Sequence, residues 1–306
     1  MINLQQLSVL LAVREYGSLT KAADALGYGV PTVTHHLNTL ERHLRVRLAE
    51  RDRRGATLTP LGAAFAEEAE QILQRVGQAE RLVAEQRDAG LVTLRVGTFA
   101  SIGSRLLPSA IAELQQRVRV RVEVIEAEPT EVVRLLLAGD VHAGLIYEAE
   151  DDPAFVSAEL AVVPLLLEPY RVMLSRNSAL AAQEVLDFAQ LHGEAWIHSR
   201  SDNEASDRVL KKTFSLVGHQ PRELMRTDDL NMIHGLVAQG LGLALSTETA
   251  VDTRFDVTLR PAVQDLGKRR VSFITLNFTT LNKAMPPAIG LLEKLLRERT
   301  AGTASG

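Results

Sequence analysis

One short stretch of the chain carries side chains suited to reading the base edges of double-stranded DNA. Residues 31–44 predict a helix with one apolar face, because apolar residues recur there at helical spacing. These apolar residues are Val33, Leu37, Leu40 and Leu44. The opposite face carries Thr32, His35, Asn38, Thr39 and Arg42. Polar and imidazole side chains of this kind contact base edges when a helix lies in the major groove.

The residues before this helix supply the rest of a helix-turn-helix. Ser18 can cap a first helix, because its hydroxyl can accept a backbone N–H. Gly27 ends that helix, and Pro31 opens the next one in its first turn, where a missing N–H costs little. An earlier amphipathic helix is predicted to pack behind both through Leu4, Leu7 and Leu11.

Arginines follow the motif at a predicted turn. Residues 45–59 alternate apolar and polar side chains around this turn, which predicts a two-stranded wing. Arg51, Arg53 and Arg54 are suited to phosphate contacts, which add affinity without sequence information. The alternative is an exposed loop that binds nothing.

Residues 60–87 predict one long helix with a narrow apolar seam. The seam consists of Leu61, Phe65, Ala69, Ile72, Val76, Ala79 and Val83. A seam of this width indicates contact between two helices, hence a homodimer. The alternative is that the helix folds back on its own domain. We favour the dimer, because helix-turn-helix proteins usually bind two-fold DNA sites as two-fold pairs.

Composition excludes several kinds of chemistry. The chain of 306 residues has no cysteine, which excludes disulfides, thiolate metal sites and cysteine nucleophiles. It has neither a signal-peptide pattern nor a run of 18 apolar residues, so we expect no membrane span and a cytoplasmic location. The net charge is −4, yet residues 1–60 carry eight Lys and Arg against five Asp and Glu. A basic first module on an acidic body is typical of DNA binding through that module.

From about residue 91 onward, short apolar strands alternate with helices, which predicts an α/β sheet protein. The predicted strands are 94–99, 120–127, 143–148, 160–175, 195–199, 241–246 and 269–278. The predicted helices are 104–118, 130–139, 203–218, 229–240 and 286–299. The tail, residues 300–306, is predicted to be disordered.

Sequence markers of one family occur along nearly the whole chain. They are residues 17–23, Pro31, Leu40-Glu41, Arg47-Leu48, Glu50-Arg51, Leu58-Thr59 and Gly62, then residues 94–97, Leu107-Pro108 and residues 240–242. With these markers the chain resembles the LysR-type transcriptional regulators. The resemblance implies a winged helix-turn-helix domain, a linker helix for dimerisation, and an effector-binding domain. The effector-binding domain would have two α/β subdomains like those of periplasmic binding proteins, with a small-molecule effector between them.

Carried onto this chain, the resemblance places the winged helix-turn-helix in residues 1–60 and the linker helix in residues 61–90. The effector-binding domain would be residues 91–306. Its first subdomain would comprise about 91–164 and 269–306, and its second about 165–268.

The recognition helix departs from the usual residues of the family. Gly29-Val30 stands where Ser-Gln is common, and Thr34-His35-His36 where Ser-Arg-Gln is common. Because Gln and Arg are strong bidentate readers of bases, we expect base reading here to depend on His35, Thr32 and the wing arginines. Histidine gains positive charge in mildly acid solution, which predicts operator affinity that increases from about pH 8 to about pH 6. The alternative is that these histidines are merely solvated.

The residues predicted to contact DNA combine this helix, its neighbour and the wing. They are Ser18, Thr20, Lys21, Thr32, Thr34, His35, His36, Asn38, Thr39, Arg42, Arg51, Arg53 and Arg54.

Loops that follow predicted strands supply the candidate effector site, because ligands of α/β proteins bind at the carboxyl ends of strands. The predicted residues are Ala100, Ser101, Ile102, Ser104, Thr130, His198, Ser199, Arg200, Thr227 and Asp228. Backbone N–H groups and hydroxyls there suit a carboxylate or another anion. Asp202, Asp228 and Asp229 equally favour a neutral or amine-bearing ligand. For Ser101, Ser104, Thr130 and Asp228 the alternative is plain helix capping.

We therefore predict a transcriptional regulator that responds to a small molecule and is not an enzyme, with no catalytic residue, metal site or cofactor. Its expected partners are a pseudo-palindromic DNA operator, the effector, a second copy in a homodimer, further copies in a homotetramer, and RNA polymerase. One alternative is a hydrolase tethered to a DNA-binding domain and using Ser101, His198 and Asp228, although no nucleophile elbow, P-loop or metal-ligand spacing is present. Another is an architectural DNA-binding protein with a non-functional cleft.

Overall fold

The computed structural model describes residues 2–52, 55–87, 92–202, 204–279 and 285–303. The chain divides into two compact units, Met1–Ala89 and Gly90–Gly306, and each is described by itself. Across the described residues, every helix is too short or too polar to cross a lipid bilayer.

The described part of the first unit contains four helices and a two-stranded wing. Its elements are α1 (Leu4–Tyr16), α2 (Leu19–Leu26), α3 (Val30–Leu44), β1 (Ala49–Asp52), β2 (Gly55–Leu58) and α4 (Pro60–Arg87). Strands β1 and β2 pair antiparallel. The predicted helix-turn-helix, wing and long following helix are therefore confirmed. The predicted seam residue Val83 lies in α4, but its side chain is outside the described part of the chain.

Local interactions explain where the first helices begin and end. Asn3 and Gln6 form a capping box before α1, in which each side-chain oxygen accepts the other residue's backbone N–H, at 2.9 and 3.0 Å. The predicted cap at Ser18 is confirmed, since its hydroxyl oxygen accepts a backbone N–H of α2 at 3.5 Å. Gly17 and Gly27 end α1 and α2 in the left-handed conformation, which glycine adopts without strain.

The face that α1 turns to the core matches the predicted one only in part. Of the predicted residues, Leu7 is buried and Leu11 is partly buried against the core, whereas Leu4 is 43% exposed. Leu10 and Val13, which were not predicted, are fully buried. Both sets follow helical spacing, so periodicity alone did not separate them. The packing of α2 and α3 against α1 selects the face centred on Leu10.

The first three turns of helix α4 pack on its own unit. Ala66 and Ala69 are fully buried, and Phe65 packs against the core formed by the first three helices. Two other seam residues, Leu61 and Ile72, remain 61% and 45% exposed. The beginning of α4 therefore packs against its own domain, as the alternative to the dimer predicted. The exposed seam residues leave an apolar surface on the same helix.

Gly62 lets α4 pass close to the strand before it. A side chain at this position would place its Cβ 1.9 Å from the carbonyl oxygen of Leu48. That backbone cannot easily move, because Glu41 Oε1 accepts the N–H of Leu48 at 2.8 Å and Thr59 N–H donates to the Leu48 carbonyl at 2.9 Å.

We predict that Gly62→Ala lowers the free energy of unfolding of the first unit by about 2 kcal/mol, because the new methyl group overpacks this contact. Circular dichroism of the full chain in urea would measure the loss. Gly235→Ala is the matched control, since it lies in a helix with no atom within 4 Å of its added Cβ. That variant should be neutral or more stable by up to about 1 kcal/mol. Equal stability of the Gly62 variant and wild type would contradict the prediction.

The first subdomain of the second unit is built on a five-stranded sheet. Its strands, in sheet order, are β4 (Val120–Glu126), β3 (Val92–Thr98), β5 (Ala143–Ala149), β12 (Lys268–Leu276) and β6 (Leu160–Pro169). Strand β3 runs parallel to β4 and β5, whereas β12 runs antiparallel to β5 and β6. The helices are α5 (Ala100–Arg105), α6 (Leu107–Arg117), α7 (Pro129–Ala138) and α10 (Pro287–Thr303).

The second subdomain contains two smaller sheets. Its elements are β7 (Arg171–Ser175), β8 (Ala195–His198), α8 (Ala205–Leu216), β9 (Arg222–Arg226), α9 (Leu230–Ala238), β10 (Ala244–Ser246) and β11 (Val257–Arg260). Strand β7 lies between β10 and β11 and pairs antiparallel with both, and β8 pairs parallel with β9. Stacked and edge-on rings of Phe188, Trp196 and Phe214 form the centre of its core.

The chain crosses between the subdomains at Tyr170 and at Gly267. Strand β6 stays in the first sheet as far as Pro169, beyond the predicted boundary at residue 164. The stretch 160–175, predicted as one strand, is two strands in different sheets. Apolar residues dominate both strands, so the sequence was predicted as one strand, although Glu168, Pro169 and Arg171 interrupt the apolar pattern at the break.

Two predictions about helices were wrong. The predicted helix 104–118 is interrupted, because Pro108 has no N–H to donate and α6 starts anew around it. Within the predicted disordered tail 300–306, α10 continues to Thr303. The side chain of Thr300 is buried, and its hydroxyl donates to the carbonyl of Leu296 at 3.2 Å. Residues 304–306 lie outside the described part of the chain.

Candidate DNA-binding surface and effector cleft

The exposed face of α3 carries most of the predicted DNA contacts. Val33, Leu37 and Leu40 are fully buried beneath it. The predicted residues that are exposed on α2 and α3 are Thr20, Lys21, Thr32, His35, Asn38 and Arg42, and those that are partly buried are Ser18, Thr34 and His36.

Thr39 differs from the other residues predicted on this face. Its hydroxyl oxygen is buried, which turns the only polar atom of the side chain away from solvent. A buried hydroxyl is not available to a base edge, so helical spacing alone overestimated the width of the polar face. Arg53 and Arg54 lie outside the described residues, and so does the side chain of Arg51.

One aromatic residue beside this face was not predicted. Tyr28, in the turn before α3, has its ring centroid 6.2 Å from that of His36. The ring of His36 in turn lies 6.0 Å from that of His35. In the sequence, Tyr28 was interpreted only as part of a helix break. An aromatic residue in the turn before a recognition helix could have indicated a residue of this surface.

The wing is held in place by backbone interactions. Glu41, near the end of α3, accepts the N–H groups of Leu48 and Ala49 at 2.8 and 3.1 Å. At the other strand, the N–H of Ala56 donates to the carbonyl of Gly17 at 2.9 Å. These bonds fix the wing relative to α3 and to the end of α1.

A cavity of about 100 Å³ lies between the two subdomains of the second unit. An adjoining opening of about 490 Å³ shares part of its wall, including Ser101, Asp228 and Ala250. The inner cavity therefore continues outward into a wider cleft.

The structure brings most of the predicted effector residues together. Those lining the inner cavity are Ala100, Ser101, His198, Ser199, Thr227 and Asp228. Ser104 lines the outer opening. The carboxyl ends of β3 and β8 place the first four of these residues, as the sheet topology requires.

Three predicted effector residues lie elsewhere. Ile102 is fully buried on the opposite side of α5, within the hydrophobic core. Thr130 is exposed on the first turn of α7 and lines neither space. Arg200 is exposed as well, and its contribution is a backbone N–H that donates to Asp228 Oδ1 at 3.0 Å.

The predicted cleft residues do not occupy the N-cap positions of the neighbouring helices, so the alternative of helix capping does not apply to them. Phe99, Glu128 and Asp229 occupy the N-cap positions of α5, α7 and α9. Asp229 caps α9 with bonds of 2.8 and 3.2 Å from backbone N–H groups. Asp228, one residue earlier, is therefore left to face the cavity.

The residue types of a hydrolytic triad are present but not assembled. His198 Nδ1 donates to Asp207 Oδ1 at 2.7 Å, and both side chains are buried. Asp228 instead accepts the N–H of Arg200. The hydroxyl oxygen of Ser101 accepts from Arg269 Nη1 at 3.3 Å. Each predicted member thus has another partner.

Arg269, at the start of β12, forms a buried ion pair beside the cavity that the sequence did not predict. Its Nε and Nη2 donate to Glu168 Oε1 at 2.9 and 2.5 Å. Nη2 also donates to the hydroxyl of Thr249 at 2.8 Å. The guanidinium carbon lies 5.6 and 5.5 Å from the ring centroids of Phe99 and Tyr147, within cation–π range.

Two glutamates beside the cavity have raised pKa values. Burial raises the pKa of Glu128 to about 7, and the charges of Glu204 and Asp228 raise it further, against the lowering effect of the 2.9 Å hydrogen bond from Tyr147 Oη. Burial also raises the pKa of Glu204, and the charge of Asp228 adds to the effect. Both glutamates directly precede a helix, α7 or α8, and in the sequence they resemble ordinary surface residues.

Three buried polar atoms on the cavity wall have no hydrogen-bond partner among the described residues. They belong to His198 (Nε2), Tyr170 (Oη) and Thr247 (Oγ1). All three residues are less than 5% exposed. Buried polar groups normally have partners, so these atoms mark an incompletely satisfied site.

The fold and these two regions define a DNA-binding unit joined to a two-subdomain α/β unit with a ligand-sized cleft. The family model described as "LysR substrate binding domain" matches residues 88–299. That described as "Bacterial regulatory helix-turn-helix protein, lysR family" matches residues 4–63. The chain belongs to the LysR family: it is a LysR-type DNA-binding transcriptional regulator with an effector-binding domain. The predicted family, fold class and general function are confirmed.

Relatives with curated descriptions match over most of their length. A "Hydrogen peroxide-inducible genes activator" from Dickeya chrysanthemi is 24% identical over 277 residues, covering 89% of each chain. The "Uncharacterized HTH-type transcriptional regulator YvbU" of Bacillus subtilis (strain 168) is 26% identical over 253 residues, covering 82% of this chain and 83% of the relative.

Solved structures have the same fold. The LysR family transcriptional regulator CbnR has a TM-score of 0.62 at 22% identity, over 98% of this chain and 99% of that one. Full-length CbnR in complex with its target DNA has a TM-score of 0.61 at 23% identity, over 97% and 99% of the chains.

Proposed function

We propose that this regulator binds a pseudo-palindromic operator as a homodimer, with α3 in the major groove, and that a small-molecule effector in the cleft controls its activity. The observation that carries the DNA-binding part is the division of α3. Its inner face buries Val33, Leu37 and Leu40 completely, and its outer face presents Thr32, His35 and Arg42 to solvent. A helix divided in this way can present polar side chains to a groove while its apolar face stays in the core.

The apolar surface of α4 supports the dimer. Leu61 and Ile72 stay exposed on the predicted seam, and exposed apolar side chains at helical spacing suit a second copy of the same helix. A homotetramer of two such dimers and a contact with RNA polymerase belong to the same proposal, and they rest on membership of the family.

We further propose that the cleft binds a ligand and performs no reaction. The residues of the hydrolytic alternative each have other partners, as described above. The unpartnered polar atoms on the cavity wall favour ligand binding over the architectural alternative, since a cleft without a ligand has no need of them.

The signal must differ from thiol oxidation. Several relatives are described as activators of hydrogen peroxide-inducible genes. The present chain has no cysteine, so no thiol of its own can react with an oxidant. The predicted carboxylate effector and the predicted amine-bearing or neutral one both stay predictions, and the charges of the cleft favour the second.

Salt dependence tests the DNA-binding part. The probe is the duplex immediately upstream of the protein's own reading frame, measured by fluorescence anisotropy over a range of salt concentrations. Affinity should fall by a factor of roughly 10³ or more between about 50 and 200 mM salt, because binding releases counterions from the phosphates. An affinity independent of salt would contradict the proposal.

We predict that operator affinity increases by roughly fivefold, or about 1 kcal/mol, when the pH falls from about 8 to about 6, because His35 gains a charge beside DNA. His35→Ala should lose most of this increase and change the sequence preference. His192→Ala is the matched control, since His192 is an exposed histidine of the other unit. A pH response unchanged by His35→Ala would remove His35 from the interface.

A further inference from the structure

The acidic groups around the inner cavity come from both subdomains. Glu128 and Asp228 line the cavity, and Glu204 lies beside it against Tyr147. Glu128 precedes α7 of the first subdomain, whereas Glu204 and Asp228 precede α8 and α9 of the second. A bound group between them would therefore contact both subdomains at once.

Two arginines near these carboxylates form ion pairs with other acidic residues. Arg269 is paired with Glu168, with both side chains less than 10% exposed. Arg208, whose charge also acts on Glu204, pairs with Asp152 at 2.7 Å. Within the described residues, no Lys or Arg forms an ion pair with Glu128, Glu204 or Asp228. The cavity thus has an excess of negative charge.

The unpartnered buried atoms give an independent sign of a missing ligand. His198 Nδ1 donates to Asp207, so Nε2 is the ring nitrogen left without a partner on the cavity wall. The hydroxyls of Tyr170 and Thr247 can each donate or accept. These groups can form hydrogen bonds with a polar ligand.

We propose that the effector carries a protonated amine, which binds between Glu128, Glu204 and Asp228, and a polar group that reaches His198, Tyr170 or Thr247. This inference rests on the proposed function, since it names the ligand class of the same cleft. An ammonium group has three donors and would supply the positive charge that the carboxylates lack. The raised pKa of Glu128 supports it, because burial and the charges of Glu204 and Asp228 disfavour its ionisation, and a bound cation would offset both effects.

The volume of the site limits the size of the ligand. The inner cavity of about 100 Å³ accepts a group of only a few heavy atoms. A longer ligand would extend into the outer opening past Ser101 and Asp228. Small amines of two and four carbons are therefore suitable probes.

Thermal unfolding of the full chain tests the proposal, with fluorescence of Trp196 as the readout. Trp196 is the single tryptophan and is fully buried in the second subdomain, so it reports on the unit that binds the ligand. Two matched series are compared at constant ionic strength. One is ethanolamine, ethylene glycol and glycolate, and the other is 1,4-diaminobutane, 1,4-butanediol and succinate.

At least one amine should raise the unfolding midpoint saturably, by about 5 °C or more at roughly 100 times its Kd. The diols and carboxylates should not. Glu128→Gln and Asp228→Asn should each weaken the amine's Kd by roughly tenfold or more. Glu131→Gln is the matched control, because Glu131 is on α7 but exposed and paired with Arg134, and it should leave the Kd unchanged.

The other results overturn the proposal in distinguishable ways. Stabilisation by a diol or a carboxylate, but by neither amine, would keep the effector cleft and reject the amine. If the amine raised the unfolding midpoint of Glu128→Gln as much as that of the wild type, the amine would bind at another site. No shift with any of the six probes would also reject the amine class. The salt dependence of operator binding, measured on the same preparations, tests the DNA-binding function separately.

Discussion

Arg269→Met should lower the free energy of unfolding of the second unit by about 3 to 5 kcal/mol. The substitution removes the cation of a buried pair and leaves Glu168 charged in the interior, where its side chain is only 7% exposed. Thr249 would still donate to the stranded carboxylate at 2.8 Å, which compensates a neutral group better than a charge. Urea unfolding followed by Trp196 fluorescence would measure the loss.

Lys268→Met is the matched control for this experiment. Lys268 precedes Arg269 in β12, but it is 52% exposed and lies 3.9 Å from Glu150. Its removal should change stability by less than about 1 kcal/mol. The double variant Glu168→Met with Arg269→Met should recover part of the loss, since no charge is then stranded. Equal losses for Lys268→Met and Arg269→Met would show that the pair is not the cause.

The position of Arg269 gives the ion pair a second consequence. Its guanidinium donates to Ser101 in the first subdomain and to Thr249 in the second, next to the strands where the chain crosses over. The same side chain lines the effector cavity. A change in the cleft can therefore reach both crossovers through one residue.

The sequence predicted the helical architecture of the DNA-binding unit well, because its patterns are local. Ser18 caps a helix, Gly27 ends it, and Pro31 starts the next, each through its own backbone chemistry. The sequence did not distinguish between the two overlapping apolar faces of α1. Leu4 and Leu10 both fit helical spacing on α1, and only the packing of the other helices buries Leu10.

The cleft was predictable where strand ends determine it. Ser101 and His198 follow strands, so topology alone brings them to the cavity. The Arg269–Glu168 pair was not predictable, because its members are 101 residues apart and Arg269 lies between two other basic residues, Lys268 and Arg270. Glu128 was missed for a different reason. A glutamate before a helix resembles a surface charge in the sequence, and its burial depends on residues that are distant along the chain, such as Tyr147.

The last prediction concerns this glutamate and the pH dependence of stability. The pKa of Glu128 is raised from 4.5 to about 7 in the folded chain, so folded Glu128 holds more proton than unfolded Glu128 between these values. Its contribution is therefore fully present below about pH 4.5 and is lost as the pH rises through about 7, a change of about 3 kcal/mol. Glu128→Gln should remove this decline from the free energy of unfolding measured in urea between about pH 5 and 8.

Glu131→Gln again supplies the control, with the opposite sign. A hydrogen bond from Arg134 lowers the pKa of Glu131, so that its contribution is lost as the pH falls and not as it rises. The effect should be small, because both side chains are about half exposed and water screens the pair. A slope that is the same in wild type and Glu128→Gln would contradict a raised pKa at this position.

The same titration predicts how an amine would bind. The charged and titratable groups that face Glu128 are Tyr147 on β5, Glu204 before α8, Asp228 before α9 and Arg269 on β12. Without a ligand, ionising Glu128 adds a third negative charge to Glu204 and Asp228, which costs stability. With an ammonium group between them, the same ionisation is favourable. Amine affinity should therefore increase from about pH 5 to about pH 8, whereas stability of the unliganded chain decreases, and Glu128→Gln should weaken both trends.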